Sequence, residues 1–460
     1  MKRGRSTLVL LALAAALGAY IWFVEMKRDP SDEEPKAEKV FAALEADSIS
    51  ALTIHASNGD TTTLAKAGAD WTIEKPVQAG ADASEVSGVT SNLASLDLTR
   101  VIDEKPASLE PFGLDDARVR VTFTAGGTPR TLLLGARTAT GGDTYAKLED
   151  SPRVFTVPNW LEQSLDRTTF QLRNKSIVTV DRDAVDHVAI IGAPGTIELE
   201  KAGDDWRLVQ PITGRADSAE VGSLLTRLSS GQMQAIVADQ PATLDVYGLQ
   251  PARTTVTAIG SGKTLAQVFV GTPSGDAAVH MRDASRPMVF TVDKALADDL
   301  QRSAAAYRAR DVFPFRLFEL TTLVITRGDS TRTFEKKKSG SGADATETWS
   351  QTAPADGSVT ASTIEDIASR LGAIRAEACV DAPRTSTPVL DIVATHGAGA
   401  ETRVSIVSAA DVMYAIVPGE PGAARLTAPA VTDVLCLLAP RAPATDAAAT
   451  PSTPPAGTTP

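Results

Sequence analysis

An internal repeat constrains this sequence more than any other feature. Six matches share one shift of 135 residues: Trp71 with Trp206, Pro76 with Pro211, Asp82 with Asp217, Glu85 with Glu220, LEPFGL (109–114) with LDVYGL (244–249), and RVFTV (153–157) with the VFTV of 289–292. Self-similarity at a fixed period is typical of chains built from like structural units. The chain therefore contains at least two copies of one module.

A fainter third copy follows the first two. Trp349 lies 143 residues after Trp206, and Pro354, Ile364, Ile367 and Leu371 match the first copy at a shift of 278. This copy lacks the FGL-type motif, and it carries an insertion, KKKSGSG, at 336–342. We expect the insertion to form an exposed loop tip.

Each copy has the same order of short patterns. Alternating segments such as ALTIHAS and TTTLAKA predict strands, and Asp82 with Glu85 predicts a capping-box-like helix start. Apolar residues at Val86, Val89, Leu93 and Leu96 then form one helical stripe. The fold class is therefore predicted as α+β: about three tandem modules, each a mainly antiparallel sheet with one packed helix, after an N-terminal transmembrane helix.

The N-terminus predicts a membrane anchor. Three basic residues precede an uncharged apolar run over residues 6–24. A helix of that length nearly spans the hydrocarbon core of a bilayer, which is about 30 Å thick. A cleaved signal peptide is the alternative, although its apolar region is usually shorter. Both interpretations place the rest of the chain outside the cytoplasm.

These patterns divide the chain into six segments. They are an anchor at 1–25, a charged linker at 26–39, repeat modules at 40–172 and 173–311, a divergent module at 312–441, and a Pro/Ala/Thr tail at 442–460 that is predicted to be disordered. No second apolar run is long enough to cross a membrane. The predicted topology is single-pass in a bacterial inner membrane, with a cytoplasmic N-terminus and a periplasmic bulk.

Charge and cysteine content limit the function classes. The formal net charge of -12 argues against a nucleic-acid-binding surface. The two cysteines, Cys379 and Cys436, are too few for a disulfide framework. In an oxidising compartment the two could form one disulfide, and the alternative is that both are small buried apolar side chains.

Motifs that resemble ligand-binding loops have a simpler explanation. GSGKT at 260–264 lacks the first glycine of a phosphate-binding loop and lies between two strand-like segments. GAPGT at 192–196 and RGD at 327–329 are likewise predicted to be turns. The four histidines are not spaced as metal ligands, and no nucleophile-elbow pattern is present. No catalytic, cofactor or metal residue is therefore predicted.

Residues that recur between copies are predicted to be structural. Trp71, Trp206 and Trp349 invite a ligand-stacking role, but a residue repeated at one place in each module usually packs in the core or an interface. Gly113 and Gly248 are expected to need a positive φ, which glycine adopts without steric cost.

The whole combination resembles a bacterial family of unknown function numbered 4340. The resemblance rests on the anchor ending in YIWFVE, the pair DWTIEKP and DWRLVQP, the pair PFGL and VYGL, and the closing segments FQLRNK and YRARDV. Family members resemble auxiliary proteins encoded beside ABC-transporter genes of the gliding-motility type. That resemblance implies a partner such as a transporter permease or its companion subunit, and it implies no catalytic residue.

Two functions follow as hypotheses. The first is a membrane-anchored extracytoplasmic accessory or scaffold protein, not an enzyme, that uses repeated sheets to bind a partner protein. The second is an envelope hydrolase or glycan-binding module, which would need a deep cleft lined by convergent acids or aromatic rings.

Overall fold

The described part of the chain folds into three sheets in a computed structural model. The structure describes Tyr20 and residues 38–193, 195–339, 346–355 and 359–438. All hydrogen-bonded strand neighbours in the sheets run antiparallel. The chain divides into two compact units, Met1–Lys175 and Ser176–Pro460, and the second unit holds two of the sheets.

The first sheet has nine strands: β1 (Ile49–His55), β2 (Thr61–Ala67), β3 (Asp70–Lys75), β4 (Ala79–Gly80), β5 (Arg100–Asp103), β6 (Val119–Ala125), β7 (Thr128–Arg137), β8 (Asp143–Leu148) and β9 (Val154–Pro158). Their spatial order is β4-β3-β2-β1-β6-β7-β8-β9-β5. Strand β5 therefore lies at the edge opposite to β4, and the segment between these two strands crosses the sheet.

The second sheet also has nine strands: β10 (His187–Gly192), β11 (Gly195–Ala202), β12 (Asp205–Gln210), β13 (Gly214–Arg215), β14 (Ala235–Ala238), β15 (Thr254–Gly260), β16 (Lys263–Ser274), β17 (Ala278–Asp283) and β18 (Val289–Asp293). Their order is β13-β12-β11-β10-β15-β16-β17-β18-β14, which repeats the order of the first sheet strand for strand.

The third sheet has eight described strands: β19 (Leu320–Arg327), β20 (Ser330–Ser339), β21 (Thr346–Ala353), β22 (Ala378–Val380), β23 (Thr387–His396), β24 (Ala400–Ala409), β25 (Val412–Ile416) and β26 (Ala423–Leu426). The order is β21-β20-β19-β23-β24-β25-β26-β22. Without the two-residue strands β4 and β13, the three orders are identical. The third copy therefore has the topology of the first two.

Eight helices are described: α1 (Ala83–Ala94), α2 (Asn159–Leu165), α3 (Thr169–Leu172), α4 (Ser218–Ser230), α5 (Lys294–Asp299), α6 (Ala304–Tyr307), α7 (Ala361–Gly372) and α8 (Ala428–Leu438). One long helix per copy, α1, α4 or α7, packs on its sheet. Val86, Val89 and Leu93 of α1 are at most 1% exposed and lie in the core of the first sheet. Burying each such side chain stabilises the module by about 2 kcal/mol.

The long helices begin at capping residues. Asp82 accepts hydrogen bonds from the backbone N–H groups of Ser84 and Glu85, and Asp217 does the same for α4. The second half of the capping-box prediction is wrong, because the side chain of Glu85 does not reach back to the backbone N–H of Asp82. Its carboxylate lies 3.1 Å from Nε of Arg167 instead.

Two of the three predicted turns, GSGKT and RGD, are confirmed. GSGKT forms the tight connection between β15 and β16, with positive φ at Ser261 and Gly262. The RGD segment connects β19 to β20 with a positive φ at Gly328. The modules are mainly β, since strands carry more of each copy than helices do.

The predicted anchor, residues 6–24, lies outside the described residues except for Tyr20, and so do residues 442–460 of the tail. In the described ranges, no helix has both the length and the apolar character needed to cross a bilayer.

Candidate functional site

A cleft between the second and third copies is the candidate site of the second unit. It encloses a volume of about 1100 Å³. The second copy contributes the start of β12, strand β13 and the start of α4. The third copy contributes residues 313–316, the end of α7, the start of β24 and the turn at 417–420. We call this space the inter-module cleft.

Aromatic side chains lie beneath the polar surface of the cleft. Trp206, Phe313 and Phe315 line it, but they are only 7%, 2% and 8% exposed. Their rings therefore belong to the cores of the two copies rather than to an open stacking platform. A sugar needs an uncovered ring face to stack on, so these rings offer little to a glycan.

A carboxylate from the third copy clamps the edge of the second. Glu420, in the turn between β25 and β26, accepts hydrogen bonds from the backbone N–H of Arg215 and, at 3.1 Å, from its Nε. Arg308 donates to the carbonyl of Pro421 at 2.8 Å. We call these contacts the Glu420 clamp.

Gly214 makes the clamp possible. A Cβ atom at this position would lie 2.8 Å from Oε2 of Glu420 and 3.4 Å from Cδ of Pro421. Charge-assisted hydrogen bonds are about twice as strong as neutral ones, and Glu420 and Arg215 are both less than one third exposed. The clamp therefore fixes one wall of the cleft against the other.

The remaining charges of the cleft lie at its rim. Asp311 pairs with Arg375 at 2.8 Å, and Glu401 pairs with Arg403 at 2.9 Å. Arg207 and Arg316 are exposed, and neither forms an ion pair within the described part of the chain. Two exposed guanidinium groups that line one cleft, each with its donors available, suit the carboxylates of a partner protein.

Four carboxylates of the cleft are occupied with structural contacts. Asp217 caps α4, Glu420 forms the clamp, and Asp311 and Glu401 each face an arginine. Asp205, which also lines the cleft, is exposed.

A second charged cluster lies inside the first copy. Glu162 is 3% exposed, and its carboxylate contacts Arg118 and lies 3.1 Å from both Nε of Arg137 and Oγ1 of Thr144. The equivalent residue of the second copy, Ala297, is apolar and fully buried. The module thus folds without this charge, and the cluster serves packing within one copy.

The structure places the repeated tryptophans at equivalent register positions. Trp71, Trp206 and Trp349 each lie opposite a lysine on the neighbouring strand. Trp206 and Trp349 are buried, and Trp71 packs partly buried against the first core.

Gly113 and Gly248 both adopt φ of +62° after a 3-10 turn. A Cβ atom at Gly113 would approach the backbone nitrogen of Ala136 to 2.9 Å. The need for glycine at these two positions is therefore steric as well as conformational.

Both cysteines are free thiols. Cys379 lies half-buried on β22, and Cys436 lies exposed on α8. The bridge that the sequence left open is not formed in the structure. Among the described residues, no group of three or more His, Cys, Asp or Glu side chains is arranged to hold a metal ion.

Sequence reasoning missed the inter-module cleft and the Glu420 clamp. Arg215 and Glu420 are 205 residues apart in the chain. They also lie at positions that the repeat does not relate to each other. Only the docking of one copy on the next brings them together.

Comparison with known families gives one match. The model of the family described as Domain of unknown function (DUF4340) matches residues 71–213 and again residues 206–391. The two matches meet near Trp206, which agrees with the repeat. No curated protein and no solved structure matches the chain.

Proposed function

The chain belongs to the family described as Domain of unknown function (DUF4340), and from this premise we propose that it is a membrane-anchored extracytoplasmic accessory or scaffold protein. It acts by binding another protein. The inter-module cleft carries the proposal, because two clamped copies present a polar rim with two available arginines.

The proposed location rests on the N-terminal sequence. The apolar run at 6–24 would cross the inner membrane once, with the N-terminus in the cytoplasm and the modules on the far side. A charged linker at 26–39 would separate the bilayer from the first module.

The proposed partner is a membrane protein of an ABC-transporter-associated envelope complex, either the permease or a companion subunit. The resemblance to auxiliary proteins encoded beside such transporters supports this choice. The cleft adds a chemical requirement, because exposed guanidinium groups at Arg207 and Arg316 favour a partner segment that carries carboxylates.

A photo-crosslinking amino acid at position 207 tests the binding site. The matched control is position 72, which is the equivalent exposed position on β3 of the first copy. In intact cells we expect an adduct with a membrane protein from position 207 and none from position 72. Equal adducts from both positions, or none from position 207, would contradict the proposal.

Charge reversal at the rim gives a quantitative test, which measures recovery of the co-purified partner. Arg207→Glu combined with Arg316→Glu should reduce recovery of the co-purified partner at least fivefold, since like charges would then face its carboxylates. Glu401→Gln is the control at the same rim and should leave recovery unchanged. A reporter enzyme active only outside the cytoplasm, fused after the C-terminus, tests the topology separately.

A further inference from the structure

One corner of the third copy differs from the equivalent corners of the other two. The turn before the first strand reads Ala46-Asp47-Ser48 in the first copy and Arg182-Asp183-Ala184 in the second. In the third copy the equivalent residues are Leu317, Phe318 and Glu319. The alignment is fixed by the buried residue that follows the turn, which is Ile49, Val185 or Leu320.

The replacement puts apolar side chains into solvent. Leu317 is 42% exposed and Phe318 is 70% exposed. The residues equivalent to Phe318 in the first two copies, Asp47 and Asp183, are exposed acids. The backbone contact at this corner is nevertheless the same. Nζ of Lys66 donates to the carbonyl of Asp47 at 3.3 Å, and Nζ of Lys336 donates to the carbonyl of Phe318 at 3.1 Å. The fold of the module therefore does not require a phenylalanine here.

The neighbouring hairpin also departs from the other copies. In the first copy the pairing of β2 with β3 ends one residue pair past Lys66 and Trp71, toward the turn that joins the two strands. In the third copy β20 and β21 pair three residues beyond Lys336 and Trp349. This extension carries Lys337 and Lys338, both exposed, where the first two copies have an alanine and then a turn.

The two departures meet at one place. Lys336 lies on β20 directly before the extension, and its ammonium group contacts the Phe318 carbonyl. Arg316 adds a further exposed cation beside Leu317. Three acids lie near these residues: Glu347 is 3.7 Å from Lys336, and Glu319 and Glu335 directly follow Phe318 and precede Lys336 in the sequence.

We propose that this corner, Leu317 and Phe318 with Lys337 and Lys338, binds the surface of an anionic lipid bilayer. Exposed apolar side chains beside basic ones are the combination that interfacial membrane contacts use. Two side chains are far too few for a stable protein interface, which needs about 800 Å² from each partner. A lipid surface requires no matching groove, and the proposed anchor would hold the chain beside one.

A fluorescent reporter at position 318 of the full chain tests the inference. In a background with Cys379→Ser and Cys436→Ser, Phe318→Cys is labelled with an environment-sensitive dye. Asp47→Cys, labelled in the same way, is the matched control from the first copy. Both proteins are reconstituted into vesicles of phosphatidylcholine alone and of phosphatidylcholine mixed with phosphatidylglycerol.

We expect a blue-shifted emission at position 318, quenched at least twofold by nitroxide-labelled lipid, in the anionic vesicles only. Lys337→Gln with Lys338→Gln should abolish that shift, and position 47 should show none. Identical emission at the two positions, or an equal shift at position 318 in neutral vesicles, would overturn the inference. A shift in native membranes but not in either lipid mixture would assign the corner to a protein and would also overturn it.

A flotation assay with the vesicles distinguishes failure of the lipid-contact inference from failure of the proposed membrane anchor. A chain that floats with both kinds of vesicle but shows no shift at position 318 keeps its anchor and loses the lipid contact. A chain that floats with neither kind lacks the anchor, and its emission with added anionic vesicles still reports on the corner.

Discussion

Tyr307 closes the second copy with a phenol that is fully buried. Its hydroxyl has no hydrogen-bond partner among the described residues. The equivalent residue of the first copy is Leu172, and both backbone carbonyls accept the same hydrogen bond, from Asp82 and Asp217 respectively. The position therefore needs an apolar side chain of moderate size and not a hydroxyl group.

Tyr307→Phe should stabilise the protein or leave its stability unchanged, because an unsatisfied buried polar group costs about 1–3 kcal/mol. Burial raises the pKa of Tyr307 to about 12, although Arg302 opposes the shift. The wild-type protein should therefore lose stability between pH 10 and pH 12, as the unfolded phenol ionises first. Tyr307→Phe should not show this loss, because it has no phenol at position 307 to ionise.

Urea unfolding at pH 7 and at pH 11 measures both effects of Tyr307→Phe. Tyr247→Phe, a change in a tyrosine that lies half-buried in the same copy, is the matched control. A loss of more than about 1 kcal/mol at pH 7 in Tyr307→Phe would show that the hydroxyl makes a stabilising contact.

At the scale of single elements, the long helices α1 and α4 begin at equivalent capping aspartates that differ in whether they also form an ion pair. Asp82 caps α1 and also pairs with Lys175 at 2.9 Å. Asp217 caps α4 and forms no ion pair within the described residues. Partial burial raises the pKa of Asp82, but hydrogen bonds from Ser84 and Lys175 outweigh it and lower the pKa to about 2.

Asp82→Asn keeps a capping side chain and removes the charge, so it isolates the interaction with Lys175. We expect a loss of about 1 kcal/mol at pH 7. Because the folded pKa is lowered, the wild-type advantage should be present above about pH 4 and should vanish as the pH falls toward 2.

Asp217→Asn is the control for this prediction, since it changes the same cap without an ion pair. Thermal unfolding of both variants between pH 2 and pH 7 provides the measurement. Equal losses at the two helices would show that the capping bond, and not the pairing with Lys175, carries the effect.

At the scale of the molecule, the second and third copies form one compact unit. The Glu420 clamp joins them at strand β13, where the carboxylate binds both the backbone and the side chain of Arg215. A salt bridge of this kind, in which the backbone N–H and the guanidinium of one arginine both donate to one carboxylate, contributes more than an exposed pair.

Glu420→Gln should weaken the clamp by about 1–2 kcal/mol, because hydrogen bonds to a charged group are stronger than neutral ones. We expect faster amide hydrogen exchange at Gly214 and Arg215 and more rapid proteolysis near residues 308–312. Glu401→Gln removes an exposed pair of the same cleft and should change neither. Equal exchange in the two variants would argue that the clamp does not hold the copies together.

The sequence determined the local features of this protein by itself. The turn at Ser261 and Gly262 and the stripe at Val86, Val89 and Leu93 both follow from short-range rules. Those rules need only a period of two or of 3.6 residues and the conformational preferences of turn residues.

Only the tertiary structure decided which distant residues meet. Strand β5 lies beside β9 at the far edge of its sheet, Glu85 faces Arg167 instead of its own helix start, and Glu420 reaches Arg215 across 205 residues. Such contacts depend on how sheets and helices pack, and no short sequence pattern records them. Local patterns therefore predicted the modules, whereas packing between and within the modules created the inter-module cleft.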